Sequence, residues 1–269
     1  VYKRQILALS LAESQLVTVP LTVESISETA QMPADNIRSD LRLTLGQQKF
    51  VGAINKQLEK AVDKEIMIYV HGTKVDFVNA AILTAEVDHF AGRDFVGLAF
   101  AWPSHQNILY YLTGIDVRRA LKSSSSLTSL LVLLAEHTKA EHINILAYSA
   151  GGKVASKALF EMRQAFSEMD SDELRGKFRI ASVVFAAADV AIDVFFNRLP
   201  AISELVDQVV ITVTDDDSAL KAAERFMGGK VCIGEEKAEI IEAALIPKTN
   251  CLTWKSSMYH SVRMRAASI

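Results

Sequence analysis

The chain has 269 residues, of which 50% are apolar and 23% charged, with 5 prolines. That composition supports a large buried core and excludes a disordered chain. The formal net charge of -3 leaves no basic footprint for nucleic acid and no polybasic patch for a membrane surface.

Residues 1–46 differ from the rest. Val17–Val19 and Leu21–Val23 flank Pro20 and read as an edge strand or loop, and 24–40 is polar and irregular. Phe50, Ile54, Leu58 and Val62 then recur at helical spacing, followed by the apolar run Ile66–Val70. Phe77, Ala80, Ala81, Thr84 and Val87 mark the next helix, before the run Val96–Ala101. Leu127, Leu130, Leu131 and Leu134 lie on a third helix, which includes the serine run Ser123–Ser126 and precedes Ile143–Ala147. Val154, Ala158, Met162 and Phe166 mark a fourth, and the runs Ile180–Ala186, Val209–Val213 and Cys251–Trp254 follow. Strands alternating with helices predict βαβ units and a parallel sheet. The runs are nearly continuous rather than alternating, as suits strands covered on both faces. The predicted fold class is α/β, a mostly parallel sheet of about six to eight strands with helices on both faces. No linker or internal repeat divides the chain, so one domain over 1–269 is expected, with 190–206 as a candidate small cap. No run of about 18 apolar residues occurs, so no membrane-spanning helix is expected.

In a parallel sheet, sites collect at the carboxyl ends of the strands. After Ile66–Val70 comes His71-Gly72-Thr73, and after Ile143–Ala147 comes Tyr148-Ser149-Ala150-Gly151-Gly152. After Val209–Val213 comes Thr214-Asp215-Asp216-Asp217, and a short polar step beyond the last run stands His260. A serine on a sharp strand-to-helix turn needs small residues two before and two after it, and Ala147 and Gly151 supply them. Ser149 is therefore the candidate nucleophile. Its hydroxyl needs a base at neutral pH, for which His260 is the candidate because imidazole titrates near neutrality. A carboxylate must fix the imidazole tautomer, and Asp217 is the first choice, with Asp215 and Asp189 as alternatives. The oxyanion needs preorganised N–H donors, for which the backbone amides of Ala150 and Thr73 are the candidates. The chain order Ser, Asp, His is the one used by α/β-hydrolases.

Residues from about 50 to 262 resemble a family of mainly bacterial α/β-hydrolases of largely unassigned activity. The resemblance is carried by Ile68-Tyr69-Val70-His71-Gly72, Ala99 through Ser104, Asp116 through Ser123, Ile145 through Gly152 and Ala187 through Phe195. Val213 through Leu220 also fits, and the family's Asp followed by a residue and Ala-Leu selects Asp217. The family's late Gly-His-Ser fits Tyr259-His260-Ser261 except at the glycine. Two departures stand out: the family's His-Ser-Met-Gly is Tyr148-Ser149-Ala150-Gly151 here, and its tyrosine after His-Gly is Thr73. The resemblance implies a Ser-Asp-His hydrolase acting on a small ester, thioester or other acyl substrate.

Simpler readings accompany these. His71 reads as structural, and His89, His105, His137 and His142 as solvated. Trp102, Tyr110 and Tyr111 either line a cleft or cover the sheet, and Asp116 with Arg118 and Arg119 reads as an ion-paired helix start. Three adjacent aspartates lack a His or Cys to complete a metal site, so no metal and no organic cofactor are expected. Cys232 and Cys251 read either as one disulfide or as two buried thiols. The chain begins at Val1, which reads as a removed leader or a trimmed terminus. That start and the habits of the resembled family point to the cell envelope, periplasm or secretion, with the cytoplasm as alternative. The competing functions are a non-catalytic module that keeps the fold for binding, and an acyltransferase using the same residues.

Overall fold

A strand whose consecutive residues are all apolar is stable only when both faces are covered, and the central runs form such strands. The computed structural model describes residues 4–10, 15–21, 43–212, 232–233, 252–257 and 261–266. Among these residues the strands are β1 (Arg4–Ser10), β2 (Gln15–Leu21), β3 (Glu65–Val70), β4 (Val96–Ala101) and β5 (His142–Tyr148). They continue with β6 (Ile180–Ala186), β7 (Val206–Thr212), β8 (Leu252–Ser257) and β9 (Ser261–Ala266). They form a 9-stranded sheet in the order β2-β1-β4-β3-β5-β6-β7-β9-β8. The central β4-β3-β5-β6-β7 are parallel, and both rims are antiparallel. Strand β1 has no counterpart among the predicted runs. Pro20 falls in β2, the outermost strand, where a missing N–H need not break a ladder.

The helices are α1 (Leu45–Lys60), α2 (Phe77–Phe90), α3 (Leu109–Leu112), α4 (Ile115–His137), α5 (Gly151–Ala165), α6 (Ser171–Phe178) and α7 (Ile192–Leu205). Helix α1 starts at a capping box between Thr44 and Gln47 and buries Phe50, Ile54 and Leu58. It stops before Val62, which is exposed; the Lys64 ammonium takes up the carbonyls of Leu58 and Ala61 at 2.8 Å each. Asp76 caps α2, accepting from Asn79 N at 2.8 Å. The short α6 was not evident from periodicity; Asp170 and Glu173 close its capping box. Segment 190–206, the candidate cap, holds α7, whose Phe195, Phe196, Leu199, Ile202 and Leu205 are buried in the main core between β6 and β7 in the chain.

Alternation along β4 separates the two faces. Leu98 and Phe100 join the main core with α1, α4, α5, α6 and α7, whereas Ala99 packs with Ala81 and Phe77 of α2. The serine run of α4 is absorbed by backbone bonding: Ser123 and Ser124 donate to Arg119 O and Leu121 O at 2.9 and 2.7 Å. Thr128 of the same helix donates to Ala158 O at 2.9 Å and so ties α4 to α5. None of the described helices is long and apolar enough to cross a membrane.

Val70, Ala147, Phe185 and Ile211 are register partners across β3, β5, β6 and β7. The parallel strands therefore end on one line, and the loops carrying His71, Ser149 and Ala187 leave the sheet side by side.

Candidate active site

The chain leaves β5 through Tyr148 and turns into α5 at Ser149, whose φ is 49°. A non-glycine residue in the left-handed region costs about 1–2 kcal/mol, so its surroundings must hold it there. They do so through its main chain. Ser149 N donates to Ala186 O at 2.9 Å, and Ser149 O accepts from Gly152 N and Asp189 N at 2.9 and 3.1 Å. The side chain is half-buried at the carboxyl edge, and among the described residues no histidine bonds to it.

The small residues around the turn have individual steric reasons. A Cβ on Gly151 would stand 2.2 Å from Val70 O and 2.8 Å from His71 O. On Gly152 it would meet Ala188 Cβ at 2.8 Å, and on Gly72 it would meet Ser149 Cβ at 3.2 Å. The loop 70–73 is therefore packed directly on the turn 149–151. Gly151→Ala is expected to fail: the obstacle is backbone, so β3 or α5 must move, at a cost of about 3 kcal/mol or more. Thermal unfolding checks this against Gly52→Ala, where nothing lies within 4 Å and a small gain is expected in the α1 interior. Equal melting temperatures for the two variants would contradict the packing argument.

Both candidate oxyanion donors are available. Neither Ala150 N nor Thr73 N has an acceptor among the described residues, Ala150 because it stands at the start of a helix. The Thr73 hydroxyl is also buried and without a partner among the described residues. Leaving such a group unpaired typically costs about 1–3 kcal/mol.

The loop is braced from β4. His71 is fully buried and stacks on Trp102 with ring centroids 5.2 Å apart. Its Nε2 accepts from Trp102 N at 3.0 Å, so the proton sits on Nδ1, which donates to Gly72 O at 2.7 Å. Trp102 Nε1 returns a bond to His71 O at 2.7 Å. Burial holds the His71 imidazole down at about 4, neutral and structural as read from sequence. Trp102 thus covers the sheet and does not line a cleft. Ser104 Oγ donates to Val75 O at 2.7 Å and accepts from Val75 N at 3.2 Å. Gln106, with its amide turned as its neighbours require, donates to Lys74 O and accepts from Asp76 N, both at 3.0 Å. Farther along, Asp116 accepts from Arg119 at 2.9 Å and from His105 N at 2.8 Å, the ion-paired helix start expected.

Behind the turn lies a buried polar cluster that sequence reasoning missed. Lys153, four residues after Ser149, places its ammonium 2.7 Å from Asp189 Oδ1 and also donates to the Asp189 carbonyl. Tyr111 donates to Asp189 Oδ2, and Cys232 Sγ lies 3.0 Å from Oδ1. Cys232 is brought there by a bridge to Ala191 and by Ile233 N donating to Val190 O at 3.0 Å. Burial is the main influence on both ions: it raises the Asp189 carboxyl to about 6 and lowers the Lys153 ammonium to about 8. Each therefore keeps its charge at neutral pH. The available signal was Lys153 itself, a cation in the small apolar stretch Gly151-Gly152-Lys153-Val154-Ala155.

Asp215, Asp217, His260 and Cys251 lie outside the described residues. The alternative acid Asp189 is 1% exposed, and both its oxygens are engaged by Tyr111, Lys153 and Cys232.

A family model described as "Alpha/beta hydrolase of unknown function (DUF900)" matches residues 47–242. No curated protein matches the chain. Among solved structures, a dienelactone hydrolase from Anabaena variabilis is 16% identical, with a TM-score of 0.38, covering 70% of this chain and 84% of that one. A lipase-esterase related protein from Clostridium acetobutylicum is 11% identical, with a TM-score of 0.27, covering 63% of this chain and 61% of that one.

Proposed function

The chain belongs to the family of alpha/beta hydrolases of unknown function, and from that premise we propose that it is a serine hydrolase cleaving carboxylic esters or thioesters through an acyl-serine intermediate. The observation that carries this reading is Ser149 held at φ 49° between β5 and α5, beside two backbone amides that have no acceptor among the described residues. A strained serine facing unspent donors is the local arrangement that acyl transfer uses.

In this mechanism Ser149 Oγ attacks the acyl carbon while His260 takes its proton. The tetrahedral oxyanion receives the Ala150 and Thr73 amides. His260 returns the proton to the leaving alkoxide or thiolate, and water, activated by the same imidazole, releases the acid and regenerates the serine. Asp217 orients the imidazole. The engagement of both Asp189 oxygens by other partners supports Asp217 over Asp189. For His260, the support is connectivity: its chain neighbour Ser261 is the register partner of Thr212, at the carboxyl end of β7.

A fluorophosphonate activity probe is expected to label the protein, with the adduct mapping to Ser149 by mass spectrometry. Loss of labelling in His260→Ala, with folding retained, is expected as well. Absence of any adduct on Ser149 sinks the acyl-serine mechanism and leaves the fold as a binding module.

A further inference from the structure

We propose that the side-chain hydroxyl of Thr73 is a third oxyanion donor, acting with the backbone amides of Thr73 and Ala150; the inference rests on the serine hydrolase reading above. It starts from an anomaly. Thr73 Oγ1 is buried and hydrogen-bonded to nothing among the described residues. Other threonine hydroxyls among the described residues find partners: Thr84, Thr113 and Thr138 bond back to carbonyls four residues earlier, and Thr128 to Ala158 O. Thr44 bonds to Gln47, and Thr212 accepts from Ala187 N. Glu161 Oε2, Arg175 Nε and Ser203 Oγ share that condition among the described residues, so it is the place of Thr73 Oγ1, one residue from the glycine packed on Ser149, that points to a partner arriving later.

The location fits a charge that develops during reaction. Thr73 follows Gly72, whose missing Cβ would lie 3.2 Å from Ser149 Cβ. The residues on either side are fixed. His71 is bonded to Trp102, Lys74 adopts a φ of 60°, and Ser104 holds Val75 through both its N–H and its carbonyl. Gln106 bonds to Lys74 and Asp76 across the same loop. Thr73 is therefore carried on a fixed backbone, and as a β-branched residue it is stiff at χ1, which preorganises the donor. An oxyanion has lone pairs enough for three donors. A hydroxyl with no protein partner of its own among the described residues, aligned by the fold for the oxygen that becomes negative, binds the transition state better than the ground state.

The experiment uses the full chain with p-nitrophenyl butyrate as substrate and compares wild type, Thr73→Val and Thr73→Ser. Valine keeps the shape and the backbone amide and removes only the hydroxyl. The expected result is a fall of about 100-fold in kcat for Thr73→Val, with KM within twofold and the melting temperature unchanged or raised. Thr73→Ser is expected to keep most of the rate. A Thr73→Val variant with wild-type kcat overturns the inference and leaves the serine hydrolase reading standing. A loss that tracks a lowered melting temperature and is not recovered by serine also overturns it, since it marks a packing role. A wild-type protein with neither ester turnover nor a probe adduct on Ser149 removes the reading itself, and this inference with it.

Discussion

Replacing Ser149 by glycine is expected to stabilise the protein while abolishing its turnover. The two effects share one cause, the φ of 49°. An L-residue there carries a steric cost that glycine escapes, partly offset by the larger entropy glycine loses on folding. The balance is a gain of about 1 kcal/mol, or roughly 2 °C in melting temperature for a chain of this size. Ser149→Ala keeps the Cβ and the strain, and is expected to melt with the wild type. Both variants lack the nucleophile, so ester turnover is expected to fall on the order of 10⁶-fold, the loss seen when a triad serine is removed. Calorimetry of the three proteins separates the contributions. Should the glycine variant melt below the alanine variant, strain is not stored at this turn. Should the alanine variant retain ester turnover, Ser149 is not the nucleophile.

That strain was legible in the sequence because its requirements are local. Ala147, Gly151 and Gly152 must be small for contacts made within one turn or with the adjacent strand, and they stand next to Ser149 in the chain. The central strands were legible for a similar reason: Ile66–Val70 and Ile180–Ala186 are apolar at almost every position because both faces are covered. What escaped was non-local or short. Helix α6 spans eight mostly polar residues and declares itself only through its capping box. Helix α7 buries Phe195, Phe196 and Leu199, but its internal Pro200 argues against a helix on sequence alone. Ser104 braces Val75 from 29 residues away, and Tyr111 reaches Asp189 from 78 residues away. No periodicity reports such contacts. Asp189 follows a strand end, as a triad acid can, but that position does not reveal the partners that already occupy its carboxylate.

The cluster around Asp189 carries the second large effect. Lys153→Met leaves a buried carboxyl without its cation, and removing one partner of a buried pair typically costs about 3–5 kcal/mol. At neutral pH that is a fall of about 10 °C in melting temperature. Asp189→Asn keeps the shape and strands the ammonium instead, with a loss of similar size. The pH dependences of the two losses are expected to be opposite. Asp189 has its carboxyl raised from 3.8 to about 6, so its contribution to stability is full below 3.8 and is lost as pH rises through 6. Without Lys153 the carboxyl keeps its bonds to Cys232 and Tyr111 but loses the cation beside it, so it rises further and the loss continues to higher pH. The gap between Lys153→Met and wild type therefore widens from pH 5 to pH 8. Lys153 has its ammonium lowered from 10.5 to about 8, so its contribution is full above 10.5 and is lost as pH falls through 8. Without the Asp189 charge it falls further, and the gap for Asp189→Asn widens from pH 9 to pH 6. Between 6 and 8 both groups of the wild type are charged, and there their mutual attraction has to offset two desolvation costs. The double variant Lys153→Met/Asp189→Asn removes both costs together and is expected to melt above the sum of the single losses. Thermal unfolding of the four proteins across this pH range tests the pair directly. Gaps that stay flat with pH, or strictly additive losses, mean that the contact is not an ion pair. Because Asp189 N also holds Ser149 O at 3.1 Å, a loosened pair is expected to lower kcat in the same variants, which couples a buried charge behind the turn to the nucleophile in front of it.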